Sequence, residues 1–310
     1  MSTFPMLDTT LGATFIGVVV GSIIYGISLL QLYTYWLRFG SKDGWFLQAF
    51  IAVLMSVDTF HLLLVCHFLY YYTVSHFGNF EVLAVSTWSV ATHIPVGAIA
   101  SSLVQFFYAY RVYALGRSLV LPGIIVFFSV AQTVIGIVLA FKISSVKYFA
   151  NARQSMPYGV SALACEVVCD TIITASMVYY LRKSQSAIPS SNKVLRILMH
   201  YIVNTGALTT AMAIATVIGW AVTPDELIDI TFYVVMVRLY PCSFLAILNS
   251  RSYLRDVMRP GTAETVHLSQ LTSVHRDSIG NRNTAQLSTN SSEGTTKSGK
   301  YGGPFATLSV

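Results

Sequence analysis

Charged side chains are scarce in this chain: they make up 10% of its 310 residues, whereas hydrophobic residues make up 54%. A soluble globular domain carries about a quarter charged residues, so that class is excluded. The net charge is +6, but the basic residues flank apolar runs and form no stripe, which argues against nucleic acid as a partner. The composition instead predicts an integral membrane protein whose main partner is the lipid bilayer.

Cysteine is also sparse, and no cysteine lies where an extracellular disulfide would form. All four cysteines fall inside apolar runs. Cys165 and Cys169 are separated by one helical turn, but buried free cysteines usually behave as small hydrophobic residues. We therefore predict no disulfide, no metal site and no cofactor.

Residues 1–10 contain no lysine or arginine, so the basic leader of a signal peptide is missing. The apolar run that follows is also longer than a signal-peptide core. It is predicted to be a retained first membrane helix, preceded by a short extracellular N-terminus.

Long apolar runs recur along the chain, and each is long enough for a helix that crosses a bilayer. They predict an all-α, polytopic bundle of seven transmembrane helices. The expected spans are about Leu11–Leu37, Phe46–Thr73, Leu83–Tyr110, Leu119–Phe141, Tyr158–Leu181, Leu195–Val222 and Ile230–Asn249.

Four regions follow from this pattern. Residues 1–10 form the N-terminus and 11–251 the transmembrane domain. Residues 252–259 carry apolar side chains on one side, which predicts a short amphipathic juxtamembrane helix that ends before Pro260. Residues 260–310 are rich in Ser, Thr, Gly and Asn and are predicted to be a disordered cytosolic tail.

The basic residues set the predicted orientation. The loops on one side of the seven spans carry only Lys142, Lys147 and Arg153. Because basic loops stay in the cytosol, the N-terminus is predicted outside and the C-terminus inside. The plasma membrane is the expected location in preference to an internal membrane. The basic residues on the cytosolic side are Arg38, Lys42, Arg111, Arg117, Arg182, Lys183, Lys193, Arg251, Arg255 and Arg259.

Ionisable residues interrupt the apolar runs, and such residues at bilayer depth must face protein, water or a partner. Asp58 and His61 lie on one face of the second span, and Glu166 and Asp170 lie one turn apart on the fifth. Counting along the spans puts Asp58 and Asp170 near the bilayer centre. The predicted ligand or ion pathway consists of Asp58, His61, His93, Glu166, Asp170 and Arg238.

Arg238 also lies near the predicted bilayer centre, and burial of an unpaired arginine is expensive. We expect it to pair with Asp58 or Asp170. The other acid is then expected to be neutral or hydrogen-bonded to a histidine. One interpretation of the set is a polar cavity open to the outside. The alternative is a structural pair that only ties helices together.

Seven helices with an external N-terminus resemble the G-protein-coupled receptors in architecture, but the motifs differ. The segment Tyr108–Arg111 lacks the acidic residue that precedes the arginine in those receptors. Leu239–Cys242 differs from their Asn-Pro-x-x-Tyr motif.

Two other seven-helix classes are excluded by residues that the chain lacks. Ile230–Asn249 contains no lysine that could carry the retinal of a microbial rhodopsin. The histidines of the spans form no i, i+4 pair, as the zinc site of membrane hydrolases related to progestin and adiponectin receptors would need.

Several short motifs occur together along the chain. They are the Gly-rich first span, Val57–His61, the turn His76–Asn79, Gln105–Arg111 and Leu248–Arg251. As a set they resemble a large family of uncharacterised seven-helix membrane proteins from basidiomycete fungi, over about Leu11–Arg259. The resemblance implies the architecture and a fungal membrane origin, and it implies no activity.

The leading hypothesis for function is a receptor-like sensor of an external small-molecule ligand. The basic loops and the tail would contact a cytosolic signalling partner. The alternative is a proton- or ion-coupled transporter or channel that uses the buried carboxylates, although no inverted repeat is evident. A structural membrane protein is a further alternative. An enzyme is not expected, since no nucleophile–base pair or metal spacing stands out.

Overall fold

The computed structural model describes residues 11–40, 42–79, 82, 85–145, 155–184, 189–222 and 228–258, with the side chains of 189–195 and 251–258 left undescribed. The predicted extracellular N-terminus, 1–10, and the predicted disordered tail, 260–310, lie outside these residues.

Seven long helices make up the described chain, and all seven contain a stretch long and apolar enough to cross a membrane. The predicted all-α, seven-helix fold is therefore confirmed. A single π-helical turn, Tyr71–Ser75, extends the second helix. The helices are α1 (Ala13–Phe39), α2 (Trp45–Tyr70), α3 (Trp88–Gly116), α4 (Val120–Ser145), α5 (Met156–Lys183), α6 (Pro189–Val222) and α7 (Ile228–Met258).

Helix α3 begins later than its apolar run predicts, at Trp88 and not at Leu83. The Tyr72 hydroxyl explains this difference, since it donates to the Val85 carbonyl at 2.7 Å and accepts from the Thr87 amide at 3.2 Å. These bonds satisfy backbone groups ahead of the helix, so the residues before Trp88 need no helical hydrogen bonds. Hydropathy cannot detect such a boundary, because it counts only apolar side chains.

Helix α7 continues without interruption to Met258. The backbone of residues 252–258, which were expected to form a separate short helix, therefore extends the last membrane helix. The position of this segment along the membrane surface stays a prediction.

The helices form a ring in which neighbours in sequence contact each other from α2 to α7, and α7 packs on α1. Helices α3 and α7 also contact each other, and α3 contacts α5. Burial follows this arrangement: 56% of the most apolar stretch of α3 and 61% of that of α7 are buried, against 22% for α6. Helices α3 and α7 are thus the centre of the bundle and α6 lies at its periphery.

The outward faces of the helices suit a lipid environment. Each helix from α1 to α6 exposes large apolar side chains, such as Ile23, Leu63 and Phe127. Among the described side chains of α7, none of the large apolar ones is exposed. In water such surfaces would aggregate, whereas in a bilayer they meet hydrocarbon at little cost.

A seam of small residues, Gly17 and Gly21, joins α1 to α7. A Cβ atom at Gly17 would lie 2.9 Å from the Cα of Thr231, and one at Gly21 would lie 3.3 Å from Val234. The glycines let the two backbones approach closely. Because α7 covers this face, it is occupied within the molecule and is not free for pairing with a second copy.

We predict that Gly17→Ala destabilises the protein by about 1–3 kcal/mol, because the added methyl group meets backbone atoms that cannot rotate away. Thermal unfolding of the purified protein in detergent measures the effect. Gly26→Ala is the matched control on the same helix, since nothing lies within 4 Å of a Cβ atom there. An equal loss of stability in both variants would contradict the proposed role of the seam.

Candidate functional site

Arg238 forms the centre of the first buried polar cluster. It is fully buried, and its Nη1 atom contacts the Asp58 carboxylate and donates to the Asp58 carbonyl at 2.6 Å. The sequence left the partner open between Asp58 and Asp170, and the structure selects Asp58. The guanidinium group thus connects the middle of α7 to the middle of α2.

His61 belongs to the same cluster, as its position one turn after Asp58 predicted. Arg238 Nη2 lies 2.8 Å from His61 Nδ1. A guanidinium group has only donors, so Nδ1 must accept and the His61 proton must reside on Nε2. The Tyr25 ring of α1 covers the guanidinium carbon at 5.8 Å from the ring centroid, which adds a cation–π contact.

The hydrogen bonding of this cluster is incomplete among the described residues. Asp58 Oδ2, His61 Nε2 and Arg238 Nε are buried and have no protein partner there. The pair is therefore held by a few strong contacts, and the loss of either charge would leave the other buried without compensation.

We predict that Arg238→Leu destabilises the folded protein by about 3–5 kcal/mol, because Asp58 would remain buried and unpaired. Adding Asp58→Asn should recover part of this loss, whereas adding Asp170→Asn should not. Thermal unfolding of the single and double variants gives the coupling energy. Recovery by Asp170→Asn instead of Asp58→Asn would contradict the assigned pair.

Asp170 is the centre of the second buried polar cluster, and it has no basic partner there. Its Oδ1 atom accepts from the Gln105 amide at 3.2 Å. Its Oδ2 atom accepts from the hydroxyls of Thr209 at 2.8 Å and Tyr240 at 2.7 Å. Of the two alternatives expected for the second acid, the bond to a histidine is not formed, and the neutral carboxyl group stays a prediction. Helices α3, α6 and α7 supply amide and hydroxyl donors to this residue of α5.

The second cluster extends to α4 through a pair of glutamines. Gln132 Nε2 donates to Gln105 Oε1 at 2.9 Å and lies 3.2 Å from the Ser101 hydroxyl. Sequence reasoning missed Thr209 and Tyr240 as partners of Asp170. The available signal was weak, because hydroxyl residues occur throughout the spans and only helix rotation decides which of them meet the carboxyl group.

We predict that Tyr240→Phe destabilises the protein by about 1–3 kcal/mol, because it removes one donor from a buried carboxyl group. Tyr108→Phe is the matched control, since Tyr108 lies beside the same cluster but its hydroxyl makes no hydrogen bond with the described residues. Thermal unfolding compares the two variants. Equal losses would show that the Tyr240 hydroxyl contributes no specific stabilisation.

A cavity of about 110 Å³, part of it open to the surroundings, lies among α3 to α7. We call it the N-terminal pocket, because it lies where α3, α5 and α7 begin, which is the end of the bundle where α1 also begins. Apolar side chains such as Leu139 and Leu163 form most of its wall. Its polar lining consists of His93, Gln132, Glu166, Thr216, Trp220, Asp229 and Tyr233.

A smaller cavity of about 30 Å³, the central pocket, lies deeper between α3, α5, α6 and α7. Asp170, Gln105 and Tyr240 line it. The two pockets share no lining residue, but the Gln132–Gln105 hydrogen bond connects the wall of one to the wall of the other. A polar layer thus separates them.

The structure divides the six predicted pathway residues among three places. Asp58, His61 and Arg238 form the first cluster, and the His93 ring lies 5.8 Å from that of His61. Glu166 and His93 line the N-terminal pocket, whereas Asp170 lines the central pocket one helical turn away. Among the described residues, no group of three His, Cys, Asp or Glu side chains is placed to hold a metal ion.

These features define the class: a seven-helix integral membrane protein with two buried polar clusters and a pocket at one end. Residues 166–253, from the middle of α5 to near the end of α7, match the model of a family of unknown function, DUF6534. No curated protein and no solved structure matches the chain. The similarity supplies no activity, and the resemblance to fungal proteins stays a prediction.

Proposed function

We propose that this protein is a receptor-like sensor of a small ligand that enters the N-terminal pocket from outside the cell. The observation that carries the proposal is the pocket itself. It has an apolar wall with a few convergent polar groups, which is the usual lining of a small-molecule site. It also lies at the end of the bundle that the positive-inside rule assigns to the outside.

The second cluster offers a route from the pocket to the other side of the membrane. Glu166 lines the pocket, and Asp170 follows it by one turn on the same face of α5. Asp170 accepts from Thr209 of α6, which is the least buried of the seven helices. A ligand that shifts α5 at Glu166 therefore acts directly on the hydrogen bond that holds α6.

In this proposal the cytosolic ends of α5 and α6 carry the signal to a cytosolic partner. The exposed basic residues Arg182, Lys183 and Arg196 lie at these ends and suit an acidic surface. The protein catalyses no reaction in this scheme, and the plasma membrane is the proposed location.

A second candidate function is proton-coupled transport, and one observation favours it. The chain Gln132–Gln105–Asp170 links the walls of the two pockets by hydrogen bonds of 2.9 and 3.2 Å. Buried carboxyl groups in such chains are typical of proton relays.

A flux experiment separates the two functions. The purified protein is reconstituted in liposomes under imposed proton and cation gradients, and Asp170→Asn is compared with the wild type. A sensor should show no flux above protein-free liposomes in either sample, with folding checked by thermal unfolding. Proton flux in the wild type that disappears in Asp170→Asn would overturn the sensor proposal.

The coupling to α6 is tested by filling the pocket. Ala162→Phe places a ring inside the N-terminal pocket and substitutes for a ligand. Spin labels at the exposed positions Lys183 and Arg196, in a background without native cysteines, report the distance between the ends of α5 and α6. We expect this distance to change in Ala162→Phe and to stay constant in the control Gly26→Ala. An unchanged distance in both would contradict the coupling.

A further inference from the structure

We infer that the ligand of the N-terminal pocket is a small organic amine, with an ammonium group that meets Glu166 and an apolar body that fills the rest. The inference deepens the proposed function, because it rests on the pocket being the ligand site. It follows from the hydrogen-bond donors and acceptors of the pocket wall that remain available to a ligand.

The donors of His93 and Tyr233 are already used. His93 Nδ1 lies 2.6 Å from the Val90 carbonyl, which can only accept, so the proton is on Nδ1 and Nε2 is an acceptor. The Tyr233 hydroxyl donates to the Ile94 carbonyl at 2.9 Å, which leaves only its oxygen lone pairs. Both groups can therefore offer the pocket an acceptor but no donor.

Thr216 and Gln132 are engaged in the same way. The Thr216 hydroxyl donates to the Met212 carbonyl at 2.9 Å. The Gln132 amide group donates to Gln105 at 2.9 Å. Of the side chains that line the pocket, the Trp220 indole N–H is the one donor without such a bond to the part of the chain that the structure describes. The polar part of the wall is therefore rich in acceptors and poor in donors.

Glu166 is an acidic group of the wall without a cationic partner. It is 7% exposed, and no lysine or arginine is among the residues that line the pocket. The hydroxyls of Ser101 and Tyr240 lie within hydrogen-bonding reach of Glu166, but each is shared with a second acceptor, the Ala98 carbonyl for Ser101 and Asp170 for Tyr240. A second carboxyl group, that of Asp229, also lines the pocket.

An ammonium group provides the hydrogen-bond donors that the polar part of this wall lacks better than a hydroxyl or a carboxylate does. It supplies three donors and a positive charge to the Glu166 carboxyl group, and charge-assisted hydrogen bonds are stronger than neutral ones. A carboxylate ligand would bring a negative charge beside two carboxyl groups and would supply no donor. The apolar side chains Leu139, Ile143 and Leu163 would contact the hydrocarbon part of the ligand.

The test compares matched compounds on the purified full-length protein at pH 7. The amines 2-phenylethylamine and 4-phenylbutylamine are measured beside the alcohols and carboxylates of the same chain length, by calorimetric titration and by the shift in melting temperature. We expect the amine to bind at least about tenfold more tightly than the matched alcohol, and the carboxylate to bind most weakly. Equal or tighter binding of the alcohol or the carboxylate, or no binding of either amine, overturns the inference.

Two variants test whether Glu166 causes the preference for the amine. Glu166→Gln keeps the size of the side chain and should remove the preference for the amine. Asp43→Asn removes a carboxyl group in the turn between α1 and α2, outside the pocket lining, and should keep the preference. An amine preference that persists in folded Glu166→Gln also overturns the inference. The wild-type comparison needs neither variant, so poor folding of a variant leaves the test decisive.

The outcome is independent of the flux experiment. If the wild type conducts protons but prefers amines, the sensor proposal is refuted and the assignment of an amine ligand stands. If the wild type shows no flux and no amine preference, the amine assignment is refuted and the sensor proposal stands.

Discussion

The contact between Arg238 and Asp58 is the constraint on which the arrangement of the central helices depends. A guanidinium group and a carboxylate are each expensive at bilayer depth, and neither is tolerated without the other. Their contact therefore determines how α7 is rotated against α2. The Tyr25 contact and the glycine seam at Gly17 and Gly21 then hold α1 against α7.

Asp170 is also a buried carboxyl group, but it is stabilised in a different way. It has three neutral donors from three other helices where Asp58 has a cation. Neutral hydrogen bonds are individually weak and can be exchanged, whereas a buried ion pair is broken only at high cost. The molecule thus combines a rigid junction at Arg238 with an adjustable one between α5 and α6. The adjustable junction lies one turn from the pocket residue Glu166. In the sensor proposal, ligand binding is therefore transmitted through this junction.

The ionisable residues of the site are recognisable from the amino-acid sequence, because Asp58, Glu166, Asp170 and Arg238 stand out against apolar surroundings. Their partners are not equally visible. Tyr240 and the other hydroxyl partners resemble many residues elsewhere in the spans, and their role depends on the rotation and depth of whole helices. The same limit applies to the start of α3, where a distant hydroxyl group satisfies the backbone and apolar content carries no signal.

The number, type and approximate bounds of the membrane helices follow from the amino-acid sequence alone, because a bilayer imposes its demand on each segment separately. A segment must be apolar, long enough and able to satisfy its own backbone, and all three conditions are local. The pairing of Arg238 with Asp58 and not with Asp170, and the shared pocket of His93 and Glu166, emerge only in the folded bundle. These choices depend on how helices pack side by side, and that packing is a property of all seven surfaces together.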